Sequence, residues 1–273
     1  MTKFPTVIYI LGAGRSGSTI LSCFLNRYPE FTSLGEICHL RNPPNEVSCS
    51  CGENVLKCDF HSASFKDAYN YPDIAKLLER HRAVLIPAKV KESEYKIYSD
   101  VNRNLGKNNN FIIDSSKYPS RCLQLQKIKE LKTFVLYVHR DPASVINSFR
   151  KNVQTRRSAF SAYYYYVIMN LLCIITYMRT PRNHKMTVRY EDFLADPEEV
   201  AAKIHSEVIK RESSMSYLPK NTTFKIPDHY VEGNRMIKEN LFIRVRNKKI
   251  KYSRTEILLG FLAFPITIFL RLL

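Results

Sequence analysis

Acidic residues are scarce in this 273-residue chain: 25 Asp and Glu stand against 42 Lys and Arg, a formal charge of +17. Such an excess points to an anionic cofactor, an anionic acceptor or a membrane surface. Zinc-finger, RNP and homeodomain signatures are absent, so no nucleic-acid partner is expected. Internal repeats and low-complexity linkers are absent as well. No signal peptide precedes the first apolar run, and the seven cysteines are odd in number. A reducing, cytoplasmic location is the expectation. The length suits one large α/β domain, and 45% hydrophobic content suffices for a core.

Glycine is rare too, eight residues in all, yet three of them fall at 12, 14 and 17. They follow the apolar run Val7-Ile8-Tyr9-Ile10-Leu11 and precede a helical pattern from Thr19 to Asn26. Strand, glycine turn and helix start make an anion site, because loop N–H groups and the helix dipole point at the same place. Three motifs compete for it. Gly12-x-Gly14-x-x-Gly17 fits a dinucleotide fingerprint, but the segment 29–35 makes a poor central strand before Glu36. Gly12-x4-Gly17-Ser18-Thr19 fits a nucleoside triphosphate loop, except that Ser18 stands where the phosphate-binding lysine belongs. The cation is Arg15 instead, followed by Ser16-Gly17-Ser18-Thr19.

That third pattern resembles the 5′-phosphosulfate loop of PAPS-dependent sulfotransferases (PAPS is 3′-phosphoadenosine 5′-phosphosulfate). More of the chain carries the resemblance. Gly35-Glu36 sits where relatives supply a catalytic base. Asp114-Ser115-Ser116-Lys117 ends an apolar run, and Arg140-Asp141-Pro142 ends another, with Ser148 eight residues beyond Arg140. Tyr190-Glu191-Asp192 follows a further strand pattern, and Gly233-Asn234-Arg235 stands in a late loop.

The resemblance implies an α/β fold with a central, mostly parallel sheet flanked by helices and a P-loop-like cofactor site. It implies PAPS as co-substrate, PAP as product and no metal. Gly14, Arg15, Ser16, Gly17, Ser18 and Thr19 would hold the 5′-phosphosulfate, with Arg15 also stabilising the leaving group. Arg140, Ser148, Gly233, Asn234 and Arg235 would hold the 3′-phosphate, and Tyr190 would stack on the purine. Glu36 would be the base, with Asp114 in reserve, and Lys117 would neutralise charge on the sulfuryl oxygens. The acceptor is expected to be a hydroxyl, on carbohydrate first and lipid next. The rival readings are a P-loop kinase and a non-catalytic protein binding membranes or polyanions.

Four other features carry expectations. The whole chain, 1–273, reads as one domain with a helical insertion over about 40–110, including an amphipathic helix over 73–82. Cys49, Cys51, Cys58 and His61 have the chemistry of a zinc tetrahedron, but C-x-C is not the usual C-x2-C knuckle, so paired or free thiols are expected rather than metal. Residues 159–178 carry no charge; their tyrosines and Asn170 argue for a buried core helix over a membrane span. The basic and apolar segment 244–273, broken by Pro265, reads as a packed terminal helix or as a peripheral contact with anionic lipid.

Overall fold

The computed structural model describes residues 4–41, 46–65, 92–105, 111–151, 156–209, 223–232, 237, 240–245 and 250–273. Five parallel strands form the sheet: β1 Thr6–Leu11, β2 Phe31–Gly35, β3 Phe111–Lys117, β4 Lys132–His139 and β5 Lys185–Arg189, in the spatial order β2-β3-β1-β4-β5. The apolar run of β1 is buried on both faces because it is the central strand, covered by helices above and below. Segment 31–35 does form a strand, but at the edge of the sheet, where its Thr and Ser are tolerated.

Helices α1 (Ser18–Leu25), α7 (Tyr190–Ala195) and α8 (Pro197–Ile209) cover one face through Leu21, Phe24, Phe193 and Ile204. A small antiparallel pair, β6 Thr223–Lys225 and β7 Phe242–Arg244, packs on the same side through Phe224 and Ile243. The other face is covered by α3 (Glu92–Asn104), α4 (Pro119–Leu125), α6 (Ala159–Arg179) and α10 (Phe264–Leu272) through Tyr98, Leu125, Cys173 and Leu270. A short helix α2 (Asp59–Phe65) lies against α3. Helices α5 (Pro142–Arg150), α6 and α9 (Arg254–Leu262) share a third apolar cluster around Val145, Phe149 and Leu259.

The connection from β1 leaves toward β2 on one side, while that from β4 leaves toward β5 on the other. The crevice where such connections diverge, at the carboxyl ends of β1 and β4, is where open parallel sheets bind ligands. Gly12 closes it: a Cβ there would sit 2.5 Å from the Val138 carbonyl oxygen of β4.

Two expectations about helices change. The amphipathic helix over 73–82 and the turn at 107–110 lie outside the described residues. Helix α6 is not a core helix. Ala162, Tyr166, Met169, Asn170, Cys173, Thr176 and Tyr177 are buried, while Phe160, Tyr164, Ile168, Leu171, Ile175 and Met178 form an exposed stripe. An uncharged sequence hides this asymmetry, because both faces read as apolar. By length and composition α6 could cross a membrane, yet it packs lengthwise on α4, α5 and β4 as the crossover toward β5. The terminal segment is two helices, α9 and α10, bent by 52° with Pro265 in the first turn of α10.

Candidate active site

The glycine turn between β1 and α1 is built for an anion. Gly17, the residue before α1, has φ +94°, and a Cβ on it would lie 2.1 Å from the Tyr190 ring. Arg15 holds φ +69°, a conformation costing a non-glycine residue about 1–3 kcal/mol. No side chain caps α1, so its first N–H groups remain available. Ser16 Oγ is buried without a hydrogen-bond partner among the described residues. Gly14 N–H donates to Tyr165 Oη at 2.9 Å, a contact from α6 that no motif announced. Gly17→Ala is expected to destabilise the fold by about 2 kcal/mol or more, through strain and overpacking on Tyr190; thermal denaturation reads the effect.

The turn after β4 meets the first turn directly. Arg140 Nη1 donates to the Arg15 carbonyl oxygen at 3.2 Å, and Tyr166 Oη donates to the Arg140 carbonyl at 3.1 Å. Arg140 Nε is buried and has no acceptor among the described residues. Asp141 caps α5 by accepting the Ser144 N–H at 2.8 Å, and Pro142 opens the helix. Ser148 is half-buried on α5 beside Phe149, whose ring lies 5.6 Å from the Arg15 guanidinium. Gly233, Asn234 and Arg235 lie outside the described residues.

Tyr190 departs from its expected role. Its ring is 6% exposed, with the Arg140 guanidinium 4.7 Å from its centroid and Gly17 against its edge. Both neighbours occupy the surface a purine would need, so Tyr190 props the loop and Arg140 rather than presenting a stacking face. Glu191, next in sequence, accepts the Asp141 N–H at 3.0 Å and ties the β5 turn to the β4 turn.

Glu36 follows β2, and Lys117 ends β3. The Lys117 ammonium donates to Glu36 Oε1, and His39 Nε2 lies 3.3 Å from Glu36 Oε2. Lys117 holds φ +69°. Burial by itself would raise the Glu36 pKa; the Lys117 charge, then His39, overrides it and brings the carboxyl down to about 2. Burial lowers the Arg15 pKa, while the Glu36 charge is the leading influence raising it. The Glu36 backbone N–H donates to the Val231 carbonyl at 2.9 Å, which fixes the residue from a strand-like segment far along the chain.

Asp114 does not serve as a reserve base. It is fully buried, accepts from Tyr98 Oη at 2.6 Å and Arg121 Nε at 3.1 Å on one oxygen, and from the Ser116 N–H and hydroxyl on the other. A carboxylate so occupied anchors α3 and α4 to β3 and has no lone pair facing the crevice.

A search of curated protein sequences returns no match. Among solved structures, the sulfotransferase domain from the curacin biosynthetic pathway superposes with a TM-score of 0.53 at 16% identity, covering 97% of this chain and 98% of that one. The sulfotransferase domain of the Synechococcus PCC 7002 olefin synthase gives 0.45 at 18% identity, with 95% of each chain covered. A sulfotransferase from Mycobacterium tuberculosis gives 0.48 at 13%, covering 78% of this chain and 70% of that one. The family model described as "Sulfotransferase family" matches residues 5–207, which include β1 through β5 and both turns of the crevice. The chain belongs to the sulfotransferase family.

Proposed function

We propose that the protein transfers a sulfuryl group from PAPS to a hydroxyl of a membrane-borne acceptor, a glycolipid head group. The observation carrying the cofactor assignment is the junction of the two turns. Arg140 bonds the carbonyl of Arg15, while Arg140 Nε and Ser16 Oγ are buried donors without acceptors among the described residues. Buried donors of that kind match anionic oxygens. The N–H groups at the start of α1, with Ser16, Ser18 and Thr19, would hold the 5′-phosphosulfate, and Arg140 with Ser148 the 3′-phosphate.

PAPS supplies a sulfuryl group activated by its anhydride link to phosphate, and the chain's residues do the rest. Arg15 balances charge on the leaving phosphate oxygen. Lys117 is paired to Glu36 in this structure. On meeting the sulfuryl oxygens it would turn toward them, which frees the carboxylate and raises its basicity. Glu36 then takes the acceptor hydroxyl's proton as that oxygen attacks sulfur.

The acceptor assignment rests on two cavities that share Arg157. One, about 560 Å³, is lined by Arg150, Arg156 and Arg157 at the start of α6. The other, about 670 Å³, runs along α6 past Phe160, Tyr164, Ile168 and Leu172. Tyr165, which bonds the glycine turn, lines the second. A basic chamber joined to an apolar groove suits an amphiphile better than a soluble glycan. The apolar wall of this groove is part of the exposed stripe of α6, and Phe261, Ile268 and Leu272 of α9 and α10, helices that contact α6, are exposed as well. Arg156 and Arg254 at one end of this surface, with Arg179 and Arg271 at the other, are exposed. The partner that fits is an anionic bilayer, with apolar side chains in the acyl boundary and arginines at head-group level. None of the seven cysteines is in a disulfide, in keeping with a cytoplasmic, peripheral enzyme.

The activity is tested by a radiolabelled sulfuryl-transfer screen across glycolipid, soluble glycan and phenol acceptors. Label on the glycolipid fraction is expected; exclusive labelling of soluble glycan overturns the acceptor assignment. The membrane contact has its own test, because the chain has no tryptophan. Phe261→Trp should shift its emission to the blue on vesicles containing phosphatidylglycerol. Phe242→Trp, on β7 against the opposite face of the sheet, should not. Arg156→Gln should weaken vesicle binding about fivefold, the worth of one arginine near such a surface. An unmoved Phe261→Trp spectrum, or a shift on forming a dimer in solution, contradicts the bilayer.

A further inference from the structure

Away from the crevice, Cys49, Cys51, Cys58 and His229 each bring one ligand atom into a group whose members lie within 4.8 Å of one another. Cys58 Sγ is 3.3 Å from His229 Nδ1. In tetrahedral zinc sites, Zn–S of about 2.3 Å and Zn–N of about 2.0 Å set neighbouring ligand atoms about 3.5–3.8 Å apart. We propose that the chain binds one zinc ion at these four residues, as a structural clamp that holds the strand supporting Glu36.

Each ligand is positioned by contacts that need no metal. The turn carrying Cys49 and Cys51 is closed by Cys49 N–H to Glu53 O at 2.9 Å and Gly52 N–H to Cys49 O at 3.1 Å, with Gly52 at φ +95°. Cys58 is set by its own N–H donating to Asn54 O at 2.9 Å. Ser50 fixes the segment bearing His229: its N–H donates to Tyr230 O at 3.0 Å, its hydroxyl donates to Pro227 O at 2.6 Å, and the Tyr230 N–H donates to that hydroxyl at 2.8 Å. The His229 ring stacks on Phe60 with centroids 4.9 Å apart and planes 13° from parallel. Two segments more than 170 residues apart thus present three sulfurs and an imidazole to one point.

The donor set selects the ion. Thiolates with imidazole favour zinc over magnesium or calcium, which take oxygen ligands. Four protein ligands fill a tetrahedron and leave no open position, so the site is structural rather than catalytic. Binding exchanges the thiol protons for zinc and releases them to solvent, with no change of oxidation state. The sequence pattern offered His61 as the fourth ligand. His61 instead packs edge-on against His229, centroids 6.1 Å apart, and is outside the group. The consequence reaches the crevice by a short route: Val231, two residues beyond His229, donates its N–H to Leu34 O and accepts from the Glu36 N–H, both at 2.9 Å.

Elemental analysis of the full chain, purified without chelator, should give about one zinc per molecule. Cobalt substitution should produce thiolate-to-metal charge-transfer and tetrahedral ligand-field bands. Cys51 is exposed, so Cys51→Ser should fold but lose its zinc on dialysis, with one of four ligands removed. His229→Ala should lose zinc as well, and His39→Ala, in the separate Glu36–Cys38–His39 group, should keep it. A zinc chelator should lower the melting temperature of the wild type and leave that of Cys51→Ser unmoved. Metal-free protein after growth in zinc, a disulfide among the three cysteines, or full zinc content in Cys51→Ser would each overturn the clamp. None of these readouts depends on sulfuryl transfer.

Discussion

Glu36→Gln is expected to lower kcat by about 10²–10⁴-fold, the usual worth of a positioned base, while retention on adenosine 3′,5′-bisphosphate persists. The amide keeps the shape and the contact with Lys117 but cannot take a proton. The pH profile adds a second reading. In the resting site Lys117 and His39 keep the Glu36 carboxyl near 2, so it stays ionised through neutral and mildly acid pH. Lys117→Met removes the stronger of these influences and leaves burial, which raises the pKa. The acid limb of kcat/KM should therefore move to higher pH in that variant, and activity should be lost earlier as pH falls. His39→Ala should cost less than Glu36→Gln. The reverse order would make His39 the base and Glu36 its orienting partner, since the two are already 3.3 Å apart.

Arg140→Ala is the second large effect. Its guanidinium holds the Arg15 carbonyl and covers Tyr190, and its Nε is buried without an acceptor among the described residues. A charge-assisted hydrogen bond contributes about 1.5–3 kcal/mol, so loss of the contact to the 3′-phosphate should weaken affinity for adenosine 3′,5′-bisphosphate about 10–150-fold. Affinity for adenosine 5′-phosphate, which lacks the 3′ group, should change far less. Titration calorimetry of both ligands separates loss of a specific contact from general collapse of the loop.

The parts of this site that could be read from the sequence are local ones. A strand, three glycines and an arginine within eleven residues specify the β1 turn, and Arg140-Asp141-Pro142 specifies the start of α5, because each depends on backbone conformations only a few residue types adopt. The parts that could not be read depend on distant partners. Asp114 looked available at a strand end; Tyr98 and Arg121, sixteen residues before and seven after, occupy it. His229 reaches Cys58 across 171 residues, whereas the nearby His61 packs edge-on against His229 and lies outside the group. Tyr190 resembles a purine platform in sequence, but Gly17 and Arg140 lie against its ring. The exposed stripe of α6 was hidden by composition, since a helix apolar on both faces has no periodicity to betray which side meets the sheet.

The direct test of the central claim, that the β1 and β4 turns together grip one nucleotide bearing phosphate at both its 3′ and 5′ positions, is competitive elution from immobilised adenosine 3′,5′-bisphosphate. The protein should be retained, PAPS should release it at low concentration, and ATP should do so poorly because it offers Arg140 no 3′-phosphate. Release by ATP as readily as by PAPS, or passage through the column unretained, would contradict it.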